Sequence, residues 1–297
     1  EKTIEFIREN KENNWFFSFN CFDPHHPFDP PAEYLEKFDS DIMPLPSEHP
    51  TEKNTKPSFQ LLDRIWAHNN PGEFHTEEMS DGDRRQVCAA YYAMVALIDD
   101  QVGRILQVLD ETGQAEDTVV IFMSDHGEML GDHGIYFKGP HFYDCQLRVP
   151  LIIRWPKGGI VQNRKIDGLI ELVDLAPTFL DAADLKVPGH MQGRSLLKML
   201  RGDSERNGCR EQIYSEYYNS WTHKDAYGTM LRTKDEKIVV YHGTNQGEFY
   251  NLRNDPEEFF NLWDVPESEE RKNAMLLRCF DASVFTMDPH PPRLGPF

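Results

Sequence analysis

Apolar positions fall into three rhythms along this chain. Between residues 83 and 112 they recur at Val87, Tyr91, Met94, Val95, Ile98, Val102, Ile105, Leu106 and Leu109, three and four apart. That spacing predicts one long amphipathic helix, which Gly113 ends. Val119-Val120-Ile121-Phe122-Met123 is instead a short unbroken apolar run, which predicts a buried strand in a parallel sheet. Beyond residue 210 the pattern turns to alternation. Segments 212–217, 227–232, 237–241 and 248–251 predict an antiparallel meander, with a helix over 267–280 to cover it.

The remaining elements fill in around these. Ile4, Phe6 and Ile7 mark one side of a charged helix, and 15–19 reads as an aromatic strand leading into Cys21-Phe22-Asp23-Pro24-His25-His26-Pro27, where the prolines forbid regular structure. Residues 28–82 form a long excursion in which 59–69 alone is helical, and long irregular segments in compact domains usually serve substrates. A strand over 147–155 stops at Pro156. Asp174 is placed to cap a helix over 175–183, with Pro177 in its first turn, and 193–200 adds one or two further turns. The reading is an α/β core over 1–203 and a small antiparallel subdomain with an extended tail (289–297) over 204–297.

Composition narrows the function classes. With 31 Lys and Arg against 50 Asp and Glu, the formal charge is −19, which repels polyanions and argues against a nucleic-acid partner. No apolar run approaches the roughly 20 residues that cross a bilayer. The five cysteines, Cys21, Cys88, Cys145, Cys209 and Cys279, form no CxxC pair, so neither a zinc module nor a disulfide framework is expected. The chain opens on Glu1 as if in the middle of a helix, and a truncated start is expected.

The chemistry concentrates in SDHGEMLGDHGIYFK, residues 124–138. Asp125 and His126 stand at the carboxyl end of the predicted strand, where ligands of open α/β sheets bind, and a carboxylate beside an imidazole suits metal or proton chemistry. Gly127, Gly131 and Gly134 allow sharp turns and close approach. Asp132, His133, Lys138 and His141 add further ionisable groups in the same loop, and His25 is fixed just past another predicted strand end. As alternatives, an Asp-His pair caps a helix, and Asp132 and His133 either contact substrate or shape the turn. His26 and His141 read as supporting residues, and Arg148 as half of a structural ion pair.

Five separated motifs in order, Pro24-His25-His26-Pro27, Ser124-Asp125-His126-Gly127, Gly131-Asp132-His133-Gly134 with Lys138-Gly139, Arg148-Val149-Pro150-Leu151, and Asp255-Pro256-Glu257 before Asn261-Leu262, resemble the carboxyl-terminal part of a type I sulfatase of the alkaline phosphatase superfamily. The resemblance implies a mixed, mainly parallel sheet flanked by helices. It also implies hydrolysis of a small sulfate monoester, with Asp125 and His126 as metal ligands, Lys138 on a sulfate oxygen, His25 at the ester oxygen and His133 as a further substrate contact. Calcium is the cation implied, with manganese second because His126 is an atypical calcium ligand. The family nucleophile is a formylglycine made in a C/S-x-P-x-R motif. No cysteine here lies in one, and Asp99-Asp100, on the long helix, cannot replace the family's paired aspartates. Nucleophile and aspartates are therefore expected upstream, and this piece alone is expected to be inactive, to bind a divalent cation weakly and to self-associate through exposed sheet edges. A phosphodiesterase or phosphonate monoester hydrolase of the same superfamily, and a non-catalytic sulfatase-like binding module, are the alternatives. A periplasmic or extracellular location follows from the resemblance alone.

Overall fold

The computed structural model describes residues 1–64, 75–203, 209–220 and 223–287, with the side chains of 219, 220 and 223–225 excepted. Helix α1 (Lys2–Glu9) buries Ile4 and Ile7 as its apolar spacing requires. The excursion that follows holds two short α-helices among its described residues, α2 (Ala32–Leu35) and α3 (Ser58–Asp63). Helix α4 (Asp81–Glu111) then realises the long periodic stretch. It starts two residues before the apolar pattern because Ser80 and Asp83 close a capping box. The Ser80 hydroxyl accepts from the Asp83 amide at 3.2 Å and the Asp83 carboxylate from the Ser80 amide at 2.8 Å, which satisfies two otherwise orphaned donors. Val108 and Leu109 of α4 pack on Ile4 and Ile7, so the two helices lie together.

Strand β1 (Val120–Met123) follows, then a polar loop, the single turn α5 (Asp144–Leu147) and β2 (Leu151–Arg154). The expected parallel, fully buried strand is corrected here. β1 pairs antiparallel with β2, from Val120 opposite Arg154 to Met123 opposite Leu151, and its residues are only partly buried. The connection, residues 124–150, is long enough for either direction, so an apolar run and its spacing from the next do not decide it. Helices do flank the pair on both sides: Val120 joins the α1–α4 cluster, while Ile121, Leu151 and Ile153 join Leu175, Leu196 and Met199. Residues 15–19, expected as a strand, make no ladder among the described residues. Trp15 is held by its indole N–H to Gln114 at 2.9 Å, and Phe16 is exposed.

Helix α6 (Leu175–Ala182) and the turn α7 (Leu197–Leu200) complete this layer. Asp174 does not cap α6 with its side chain. Its fully buried carboxylate instead accepts from the amides of Arg194 (2.7 Å) and Glu171 (3.0 Å) and pairs with Arg210 at 2.5 Å.

The alternating segments become β3 (Gln212–Ser220), β4 (His223–Thr233), β5 (Glu236–Tyr241) and β6 (Gln246–Asn251), an antiparallel sheet in sequential order. Period-two geometry sorts its residues. Leu231, Ile238 and Phe249 face Met275 and Cys279 of α8 (Glu269–Phe285), while Met230, Val239 and Tyr241 face Phe142 in the loop before α5. Helix α8 starts later than its pattern because Pro266–Ser268 is a 3-10 turn. Lys237, fully buried, reaches across to Asp144 (2.7 Å), Glu258 (2.5 Å) and the Phe142 carbonyl (2.8 Å), and fastens the sheet to α5. The expected division at 203/204, the far end of the 59–69 helix and the 289–297 tail fall on or beside residues 65–74, 204–208 and 288–297, outside the described residues. No described helix is long and apolar enough to cross a membrane.

Candidate active site

β1 delivers Ser124, Asp125 and His126 at its carboxyl end. The Ser124 hydroxyl donates to the His126 carbonyl at 2.7 Å and Asp125 accepts from the His126 amide at 3.0 Å, which makes this a locally bonded turn. Gly127 is required next because a Cβ there would stand 2.0 Å from the Cys145 carbonyl oxygen of α5. The imidazole of His126 has its Nδ1 2.7 Å from the Gly127 carbonyl. A carbonyl only accepts, so Nδ1 carries the proton and Nε2 is left with its lone pair. That bare nitrogen lies 3.1 Å from the Lys138 ammonium and 3.8 Å from an oxygen of Asp125.

Lys138 is returned to His126 by a tightly wound loop. Met129 donates its amide to the Phe137 carbonyl at 3.1 Å and Gly131 to Ile135 at 2.9 Å, while buried Met129 and Ile135 anchor the turn in the core. Gly131 takes φ +93°. Leu130 (φ +46°) and Phe137 (φ +68°) also adopt left-handed backbone, at a strain of about 1–3 kcal/mol each for side-chain-bearing residues. Such strain is expected at functional turns.

His25, far away in sequence, is connected to the end of this loop through aromatic stacking. The ring of Phe22 lies 4.6 Å from His25, His25 stacks on His26 at 4.1 Å, and His26 lies 4.1 Å from Phe137, the neighbour of Lys138. Burial first, then the charges of His25 and Lys138, push the pKa of His26 down to about 4. His26 is therefore a neutral platform near pH 7. The Nδ1 of His25 is 2.7 Å from the His26 carbonyl, so its proton is fixed there and Nε2 is the working atom. The structure thus joins Asp125, His126 and Lys138, and links His25 through the His26 ring to Phe137, the residue before Lys138.

It does not bring His133 to them. His133 is buried, stacked on Tyr143 at 3.9 Å, and donates through Nδ1 to Glu52 (2.7 Å), the carboxylate that Lys56 also meets at 3.0 Å. Its left-handed backbone (φ +57°) accompanies this inward placement, so the expected substrate contact is replaced by a core one. Asp132 shapes the turn by accepting from the Ser47 amide at 2.7 Å. His141 is buried 3.0 Å from Asp63. Beyond His133 lies a carboxylate hub that sequence reading missed. Glu248 accepts from the hydroxyls of Tyr143 (2.9 Å), Tyr241 (2.7 Å) and Tyr250 (2.6 Å). Burial would raise its pKa, but the Lys56 charge and these donors hold it below the usual value. Tyr241 and Tyr250 are near neighbours in sequence, but Tyr143 and Lys56 come from distant segments, so no local pattern could flag the whole hub.

Glu128 was also missed, although it sits inside the motif. Its carboxylate accepts from the Leu130 amide at 3.1 Å, and burial pushes its pKa up.

As a metal site the cluster is partial. Among the described residues no group of three or more His, Cys, Asp or Glu side chains is arranged to hold an ion. The 3.8 Å between Asp125 and His126 Nε2 nevertheless suits two ligands of one cation with bonds of about 2.0–2.6 Å. These two residues fit as part of a coordination shell.

Comparison with known proteins places this geometry. The family described as Sulfatase matches residues 1–185, and N-sulphoglucosamine sulphohydrolase, C-terminal, matches residues 131–282. The chain is 29% identical to an arylsulfatase of Clostridium perfringens over 91% of its own length and 54% of the relative's. It is 31% identical to an N-acetylglucosamine-6-O-sulfatase of Bacteroides thetaiotaomicron, over 76% and 41%. A phosphonate monoester hydrolase of Agrobacterium radiobacter superposes with a TM-score of 0.85 at 27% identity, covering 96% of this chain and 60% of that one. The chain spans about half the length of the curated relatives it matches, 54% and 50% for two of them.

Proposed function

The chain belongs to the sulfatase family, and from that premise we propose that it supplies one side of the active site of a sulfuric ester hydrolase acting on a small sulfate monoester. The observation that carries this reading is the Lys138 ammonium, 3.1 Å from His126 Nε2, on the residue after Phe137, whose ring ends the stack that includes His25. Cleaving a sulfate ester spreads negative charge over the transferred oxygens and the leaving oxygen. Lys138 offers three N–H donors to the first. His25, with Nδ1 committed to a carbonyl, presents Nε2 to the second as the atom that binds it or hands it a proton.

Metal and formylglycine use are general to the family. A divalent cation bound at Asp125 and His126 would supply Lewis-acid stabilisation of a sulfate oxygen; calcium is the proposed ion and manganese the alternative. A formylglycine would supply the nucleophile, and no cysteine of this chain lies in the motif that generates one. A periplasmic or extracellular setting is proposed on family resemblance alone.

A second reading, phosphonate monoester or phosphodiester hydrolysis, is favoured by the 0.85 superposition on the Agrobacterium radiobacter enzyme. Steady-state assay of the full-length protein with 4-nitrophenyl sulfate and 4-nitrophenyl phenylphosphonate separates the two. A higher kcat/KM on the sulfate is expected, and a preference for the phosphonate would replace the first reading with the second.

A further inference from the structure

Gln146 lies buried in α5, and its side-chain amide brackets Gly139, the residue directly after Lys138. The Gly139 amide donates to Gln146 Oε1 at 3.2 Å, and Gln146 Nε2 donates to the Gly139 carbonyl at 2.8 Å. A backbone amide only donates and a carbonyl only accepts, so this pairing fixes which way round the Gln146 amide stands. The backbone carbonyl of the same residue accepts from the Gly127 amide at 2.6 Å, and the Gly127 carbonyl is the one that meets His126 Nδ1 at 2.7 Å. One residue therefore grips the chain a single position beyond each of the two groups that meet at 3.1 Å, Lys138 and His126. We propose that Gln146 is the positioning residue that sets the Lys138 ammonium against His126, its side chain fixing the Lys138 end and its carbonyl the His126 end. What Lys138 does there rests on the sulfatase reading; the bracket itself does not. Glycine has the widest backbone freedom of any residue, and lysine carries its charge on a flexible four-carbon stem. Without the two bonds on Gly139 the peptide after Lys138 is released to rotate, and a small rotation there is carried along the stem to the ammonium.

The test uses Gln146→Met, which keeps length and packing, removes both side-chain bonds and leaves the backbone carbonyl in place. Hydrogen exchange of the full-length protein should show the Gly139 amide losing protection by about 10-fold or more while the Gly127 amide keeps it. On whichever of 4-nitrophenyl sulfate and 4-nitrophenyl phenylphosphonate the wild type hydrolyses faster, kcat/KM should fall about 10-fold or more, a displacement near 1 Å being enough to cost about 10²-fold. In a Lys138→Met background the same substitution should cost less than about twofold, because residues that act through one another are not additive. Wild-type exchange at Gly139 would overturn the proposal. Equal loss of protection at Gly127 and Gly139 would do so too, since that is a general loosening of α5, and so would losses that multiply in the double variant. If the Met variant fails to fold, Gln146→Asn, one methylene too short to reach both atoms of Gly139, is read in the same way. Exchange needs no substrate, so a wild-type protein inactive on both esters would sink the hydrolase reading while the Gly139 and Gly127 amides still decide on the bracket.

Discussion

Lys138 and His126 meet through the one imidazole nitrogen that the Gly127 carbonyl leaves bare, at 3.1 Å. An ammonium there occupies the lone pair that a cation would use, and at this exposed contact unit like charges about 4 Å apart repel by about 1 kcal/mol in a water-like dielectric. Lys138→Met in the full-length protein should therefore bind a divalent cation several-fold more tightly, yet lose about 10²-fold in kcat/KM as a stabiliser of transferred-group charge disappears. Calorimetry and steady-state kinetics on the same variant check both signs. Unchanged or weaker cation binding would place Lys138 outside the metal's reach.

His25→Ala should discriminate between substrates. A proton donor matters most for a poor leaving group, so alkyl or sugar sulfates should lose far more rate than an activated aryl sulfate. Equal losses on both would make His25 a sulfate-binding residue alone.

The buried Glu52 makes stability depend on acid. Burial would raise its pKa, but the bond from His133 and the charge of Lys56 outweigh it and hold it at about 2, against 4.5 unperturbed. A depressed folded pKa means stability that is present above 4.5 and lost as pH falls toward 2. Urea midpoints measured across pH 5 to 2 should fall less steeply for Glu52→Gln than for wild type, and parallel profiles would contradict this.

Much of the fold was legible because local rules fixed it. The α4 stripe, the Gly113 stop and the alternation of β3 to β6 each depend on neighbours within a few positions, and all three appear where their spacing puts them. The direction of β1 was not legible, since the 124–150 connection permits either direction and an apolar run reads the same either way. At the site, Asp125, His126 and Lys138 share one loop and announce themselves, and His25 was reachable through its proline-fixed turn. His133 was misjudged because residue type says nothing about which way a left-handed turn throws a ring. Glu128 went unassigned because its partner is the Leu130 backbone amide, invisible to any search for reactive side chains.

Lys237→Met should be costly. It leaves Asp144 and Glu258 without their shared ammonium in a buried setting, and breaking a buried pair typically costs about 3–5 kcal/mol. Chemical denaturation should show that loss, with Glu258→Gln in the same chain recovering part of it. A loss below about 1 kcal/mol would mean that Arg232, 2.9 Å from Asp144, carries the junction by itself.

That same ammonium sets the rules for recombination. The meander and α8 look like a cassette, a late block with its own sheet and covering helix, and a shuffling experiment would naturally cut the gene before β3. Yet Lys237 reads the carboxylate of Asp144 and the carbonyl of Phe142, and Phe142 packs against the sheet's inner face. A donor block from a relative would arrive with its key cut for another lock. Chimeras that graft residues 142–147 together with the carboxyl-terminal block keep lock and key in one parent, and they are the ones expected to assemble.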